Sequence, residues 1–368
     1  MPKTLMFVGC CNRALPYFAT THGEGIAAFA FDEATGGASP LETTAGIDNP
    51  TFLAVSPDGR TLYATSEVLG WNEGVITAYA IDSASGRLEY LNKQPTRGSI
   101  VAQVSFDRAG RYLLAVNYGV GPTTQKPNRS LVVFPLSADG ELRPAVAEAT
   151  HSGQGHDPIR QDRPHAHCVI ATPDNKYVVV SDLGLDQLVI YRFHDGGIAR
   201  HSDLALPPGS GPRHFVFHPR LPYAYVGNEL NSTVASLAFD PAEGRLALLS
   251  IAALVPDSAR SGNHCAEIKI SDDGRRLYVG NRGHDSLSRL AIDDRTGVAT
   301  LIGNTPSGGK TPRHFAFDPS GAYLAVANQD SDCVTIFAVD RASGDLKQLP
   351  NPARTGTPTC VAFVRLPG

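Results

Sequence analysis

The chain has 368 residues with 36 acidic and 32 basic side chains, a net charge near −4, so nothing in it favours a polyanionic partner and nucleic acid is not expected to bind. No apolar run approaches the roughly 20 residues of a membrane helix, which leaves a soluble protein acting on a small molecule. This length would ordinarily suggest two or three domains, yet all-β architectures keep longer chains in a single body, so the domain count rests on the pattern along the chain.

The opening segment, MPKTLMFVGCCNRALPYF, is too polar and too soon broken for a secretory signal, and a cytoplasmic location is expected. Within it LMFVGCC reads as a strand, GIAAFAFD as a second, and the stretch near LETTAG as a third. From Pro50 the pattern repeats. In register the copies are PTFLAVSPDGRTLYATSE from Pro50, VAQVSFDRAGRYLLAVNY from Val101, AHCVIATPDNKYVVVSDL from Ala166, PRHFVFHPRLPYAYVGNE from Pro212, CAEIKISDDGRRLYVGNR from Cys265 and PRHFAFDPSGAYLAVANQ from Pro312. A truncated seventh, PTCVAFVRLPG, starts at Pro358 and runs out at the C-terminus. The spacing is near 50 residues except where a long insertion follows the second copy.

Each copy holds two alternating apolar runs joined by a turn of the P-D-G or A-G kind, the signal for a β-hairpin. A third strand follows, such as TVASLAFD or CVTIFAVD, and a turn such as PAEGRL or RASGDL opens a fourth. Four short antiparallel strands at this period are the blades of a β-propeller. The reading is therefore all-β: a seven-bladed propeller spanning 1–368 as one domain. The strands missing from the seventh copy are supplied by the N-terminus, so residues 359–364 should pair with residues 5–10 and close the ring, removing an open sheet edge.

Six cysteines, at positions 10, 11, 168, 265, 333 and 360, form no C-x-x-C pair and read as reduced thiols. The nearest approach to a zinc pattern is His165-x-His167-Cys168. Strand alternation sends Cys168 to the opposite face from both histidines, so neither a metal nor another cofactor is expected.

The first two strands of a blade are antiparallel, so the start of one and the end of the other lie at the same end of the hairpin. First strands line a propeller's channel, and seven such ends converge on one mouth. The position opening strand one holds Thr51, Ala102, His167, Arg213, Ala266, Arg313 and Thr359. The position closing strand two holds Glu67, Tyr118, Leu183, Glu229, Arg282 and Gln329. One place earlier a recurring Ser66, Asn117, Asp182, Asn228, Asn281 and Asn328 reads as structural, satisfying backbone at the strand exit. His214 and His314, one place after Arg213 and Arg313, should point away from the channel side and serve packing or support. The insertion HSGQGHDPIRQDRPHAH brings Arg160, Arg163 and His165 to the mouth, as a loop over a ligand or as a solvated segment. The charged residues either pair into a solvated ring or bind substrate. At a wet mouth, substitutions would change activity and leave stability alone.

The pieces RQDRPHAH, GPRHFVFHP, AYVGNELNSTV, SDDGRRLYVGNRGHDSL, PRHFAFDPSG and ANQDSDCV, in this order, resemble the seven-bladed propeller lactonase family, of which bacterial 6-phosphogluconolactonase is a member and to which the fungal carboxymuconate-lactonizing enzyme is related. The resemblance runs through essentially the whole chain. It implies a hydrolase acting on a sugar-derived lactone, with catalytic positions His167, Arg213, Glu229 and Arg282. The register of the mouth, and for His165 the insertion, make Glu67, Tyr118, His165, Arg313 and Gln329 the expected substrate-binding positions. The opening GCCNRALPYFATTHGEG departs from the family's glycine- and serine-rich turn, and places Tyr17 and Phe18 near the mouth.

Opening a lactone needs a base for the attacking water and donors for the oxyanion. Glu229 or His167 suits the first task, Glu229 if its pKa is shifted upward and His167 if it stays neutral. Arg213 and Arg282 suit the second, with Arg313 a weaker candidate. The same quartet could instead serve a carboxymuconate-type cycloisomerase, or the propeller could be a non-enzymatic binder. The sequence leaves open which lactone, whether it is phosphorylated, and how many chains assemble.

Overall fold

A computed structural model describes residues 4–16, 18, 20–83, 85–120 and 126–366. These form seven antiparallel sheets, each following the order of its strands along the chain outward from an innermost one. The innermost strands are Leu53–Val55, Val101–Phe106, Ala166–Ala171, Pro212–Phe217, His264–Ile270, Pro312–Phe317 and Pro358–Arg365, and they define blades 1 to 7. Each packs against the innermost strand of the next blade, and the seventh packs against the first. The circle they make surrounds the channel.

Blade 7 is assembled from both ends of the chain. Pro358–Arg365 pairs with Thr4–Cys10, Leu5 opposite Val364 and Gly9 opposite Cys360, and the sheet continues outward through Gly25–Asp32 and Gly37–Thr44. The expected closure is present.

Burial follows from position in the blade. Second strands such as Thr61–Ser66 and Tyr177–Asp182 are buried at every residue, because blades cover both of their faces, and their sequences run apolar without strict alternation. Outermost strands such as Arg245–Ala253 expose most of their residues. Blades are also tied by tyrosines. Tyr63, Tyr225 and Tyr278, each buried, donate their hydroxyls to the carbonyls of Gly140, Gly297 and Gly344 in a turn of the following blade. Gly344 has φ +76° and a Cβ there would stand 2.8 Å from the Tyr278 hydroxyl, so both conformation and space demand glycine.

The recurring Asn/Asp position behaves as expected. Asn117 donates to the carbonyls of Thr96 and Arg129, Asn328 to that of Ser307, and Asp182 accepts from the amides of His165 and Gly184. These bonds hold the turns whose far ends carry the mouth residues.

Candidate active site

A cavity of about 720 Å³ opens at one end of the channel. Its wall includes His167, Arg213, Glu229 and Arg282, and also Glu67, Tyr118, His165 and Arg313. Strand-one openings and strand-two ends therefore converge as antiparallel pairing requires. Gln329 is the exception: it is buried and absent from the cavity wall. A 3-10 turn at Gln329–Ser331 carries Asp330 to the wall in its place, and Gln329 donates to the Asp330 carboxylate at 3.0 Å. Tyr17 lies outside the described residues, while Phe18 sits beneath the Arg313 guanidinium at 5.6 Å.

Glu229 is the hub. Oε1 accepts from Arg160 Nη2 at 2.5 Å, and Oε2 lies 2.7 Å from Arg282 Nη2 and 2.9 Å from Arg213 Nε. The Arg213 contact is an ion pair without hydrogen-bond alignment. The same Arg282 Nη2 also donates to the Cys265 carbonyl at 3.1 Å, so one nitrogen holds both contacts. Burial would raise the Glu229 pKa, but Arg282, Arg160 and Arg213 outweigh it and hold the carboxylate well below its usual range. Glu229 is thus a fixed anion, and the upward shift needed for a general base is overturned by these three cations. Its side chain is only 5% exposed, so the site is less wet than a channel mouth suggested.

Besides Arg213 Nε, which has only the ion pair, two donors of this cluster are left over. Arg213 Nη1 and Arg282 Nε are buried with no hydrogen-bond partner among the described residues. Burial, and Arg282 alongside, pull the Arg213 pKa down to about 10, still fully charged at neutral pH. Arg313 lies 3.7 Å from Glu67, whose pKa burial pushes upward despite the arginines around it.

His167 faces this cluster from blade 3. Burial, then Arg213 and His214, push its pKa well below the ordinary histidine value, so the ring is neutral at pH 7. Tyr118 meets its edge at 5.8 Å and stacks on His165 at 4.1 Å. His165 is anchored by the Tyr118 carbonyl at 2.8 Å and Asp162 at 3.2 Å. The insertion before it thus closes one side of the cavity, with Arg160 reaching across to blade 4.

His214 and His314 do not point away. Both line the cavity, because register shifts at Pro212/Phe215 and Pro312/His314 insert an extra residue into those innermost strands and break the alternation. A matching shift at Cys265/Ile268 turns Glu267 inward. Its Oε2 lies 2.8 Å from His214 Nδ1 and 3.0 Å from His314 Nε2, and its Oε1 lies 3.2 Å from Lys269 Nζ. The reading of the sequence missed Glu267, although it occupies the same place in its repeat as His214 and His314, and that coincidence was the available signal.

The chain matches the family model described as lactonase, seven-bladed β-propeller, over residues 6–363. It is 34% identical to 6-phosphogluconolactonase of Bacillus subtilis, covering 93% of this chain and 95% of that protein, and 35% identical to a protein of the same name from Formosa agariphila, covering 94% and 95%. The structure of a periplasmic gluconolactonase from Pseudomonas aeruginosa superposes with a TM-score of 0.87 at 32% identity, covering 99% of this chain and 100% of that one.

Proposed function

Because the chain belongs to the seven-bladed β-propeller lactonase family, we propose that this lactone-hydrolysing enzyme opens the ester of a sugar-derived lactone, 6-phosphogluconolactone or a related aldonolactone, at the cavity built around Glu229. The observation that carries the reading is a neutral buried imidazole beside buried guanidinium donors that no group among the described residues uses. That combination supplies the base and the oxyanion donors that hydrolysis uses.

His167 takes a proton from the attacking water as the water oxygen bonds to the lactone carbonyl carbon. Charge then develops on the carbonyl oxygen, where Arg213 Nη1 and Arg282 Nε stand as donors already fixed by Glu229 and the Cys265 carbonyl. Fixed donors in a low-dielectric site need no reorganisation when charge appears. The tetrahedral centre collapses with loss of the ring oxygen, which receives the proton held by His167, and the product is a hydroxy acid. Glu229 serves as the anion that keeps three arginines together. Tyr118, His165, Arg313 and Glu67 contact the rest of the sugar, while Gln329 supports Asp330 from behind the wall.

The chain is taken as one propeller domain. Its six free and buried cysteines favour a reducing compartment, and the cytoplasm is the proposed location. No helix among the described residues is long and apolar enough to cross a membrane.

Acid release from a panel of phosphorylated and unphosphorylated aldonolactones, measured above an enzyme-free background at mildly acidic pH, tests the reading. Turnover of at least one is expected. A protein that releases no acid from any of them, or that instead changes the ultraviolet absorbance of a carboxymuconate, refutes it.

A further inference from the structure

The innermost strands carry a second ring of side chains just beyond the mouth: Phe52, Gln103, Cys168, His214, Glu267, His314 and Cys360 occupy equivalent positions of the seven repeats. Several of them tie blade to blade. Gln103 accepts from the Val169 amide at 2.9 Å, His314 Nδ1 from the Val361 amide at 3.2 Å, and Cys360 Sγ from the Leu53 amide at 3.3 Å. His214 is used differently. Its Nδ1 is held by Glu267 at 2.8 Å, and its Nε2 is buried with no partner among the described residues.

The tautomers follow from these partners. Glu267 is an anion, because His214, Lys269 and His314 outweigh its burial and hold it well below the carboxylate range. His214 therefore carries its proton on Nδ1. Burial and Arg213 bring its pKa to about 4 against the pull of Glu267, so at neutral pH Nε2 is a bare lone pair. For His314, burial lowers the pKa and the Cys360 and Glu267 interactions raise it, to about 9 overall. Yet the Val361 amide already fills Nδ1, so the ring that fits the geometry is neutral with its proton on Nε2. Phe52 packs edge-on against both histidines, at 6.0 and 5.5 Å, and limits their rotation.

A second orphan stands beside the first. His167 Nδ1 is buried without a partner among the described residues, and the His167 and His214 rings are 5.2 Å apart, nearly edge to face. Buried ring nitrogens without partners are uncommon. Two on adjacent rings, one a fixed acceptor and the other able to donate, account for each other through a small ring rotation or one intervening water.

We infer that Glu267 and His214 form an orienting arm for His167, in which His214 Nε2 accepts the His167 Nδ1–H and leaves His167 Nε2 to receive the proton of the attacking water. The inference rests on the assignment of His167 as base. His214 and Glu267 are positioning residues. The Nδ1 proton of His167 stays where it is throughout, while the water proton arrives on Nε2 and leaves with the ring oxygen. When His167 becomes an imidazolium, the Glu267 charge, relayed through the polarised His214 ring, stabilises it.

The first test needs no substrate. Two-bond ¹⁵N–¹H correlation spectra of the labelled full chain at pH 7, assigned with His167→Gln and His214→Gln, should show both rings protonated on Nδ1. Finding either ring protonated on Nε2 overturns the inference, whatever the protein hydrolyses. If the tautomers are as expected and no lactone is turned over, the arm stands and the lactonase reading fails.

The second test is kinetic. Glu267→Gln, and His214→Phe, which keeps ring bulk but offers no acceptor, should each lower kcat by about tenfold or more with KM little changed. Arg213, Arg313, Glu229 and Tyr118 also face His167 and are common to both variants. Loss of the relayed negative charge makes the imidazolium of His167 less stable, so the acid limb of kcat/KM should move to lower pH. A fall in kcat with an unmoved acid limb in both variants marks a purely structural role and overturns the inference.

Discussion

Glu229→Gln changes one atom type in the site and removes one negative charge from among three guanidinium groups. The partners stand at 2.5, 2.7 and 2.9 Å. Arg213 is 3% exposed and Arg282 17%, whereas Arg160 is 35% exposed, so the first two carry most of the effect and the third is screened by water. At about 4 Å and an effective dielectric of about 20, one unit pair is worth roughly 4 kcal/mol, and removing one partner of a buried pair typically costs about 3–5 kcal/mol. A loss of about 3–4 kcal/mol at pH 7 is therefore expected, enough to lower Tm by several degrees in a chain of this size. The folded-state pKa of Glu229 is depressed, so its contribution is complete above its unfolded value of about 4.3 and is lost as pH falls through the lower folded value. Wild type and variant should thus differ fully at pH 7 and converge at strongly acidic pH. Inorganic phosphate should also raise the Tm of the variant more than that of wild type, since it supplies an anion to arginines that have lost theirs. Melting curves and urea titrations between pH 3 and 8, with and without phosphate, are the assay. If Glu229→Gln melts with wild type at pH 7, or if phosphate favours wild type, the arginine cluster is not held together by this carboxylate.

His167→Ala should lower lactone hydrolysis by a factor of about 10² to 10⁴, as loss of a general base does, with kcat and not KM carrying the change in steady-state assays. Arg282→Lys should also lower hydrolysis although the charge is kept, because a lone ammonium that takes over the Nη2 contacts to Glu229 and the Cys265 carbonyl has no second, rigidly held N–H in the place of Nε; wild-type kcat/KM in this variant would count against Arg282 as an oxyanion donor. Arg160→Ala should raise KM several-fold with a smaller effect on kcat, since Arg160 fastens the insertion to Glu229 from outside the reacting atoms. Deleting Pro358–Arg365 leaves the Thr4–Cys10 strand unpaired along its inner edge, and circular dichroism should then show loss of cooperative unfolding.

Hairpin signals recurring near every 50 residues dictated the blades, and the truncated seventh copy dictated that the two termini must share one. Both properties are local: alternation and turn residues set each hairpin, and an unpaired edge admits few solutions. The same logic brought His167, Arg213, Glu229 and Arg282 to one mouth, because antiparallel pairing alone puts a strand's start beside its neighbour's end. Alternation failed where an extra residue entered the innermost strands. The shifts at Pro212/Phe215, Cys265/Ile268 and Pro312/His314 face His214, Glu267 and His314 inward, and no hydrophobic pattern marks an inserted residue. Gln329 left the wall for a comparable reason, a turn of three residues that the repeat did not forecast. Protonation was beyond the sequence altogether. Whether Glu229 is a base or a fixed anion depends on Arg160, 69 positions away along the chain, on Arg213 and Arg282 from two different blades, and on how much water reaches them, and these are decided only when the ring closes.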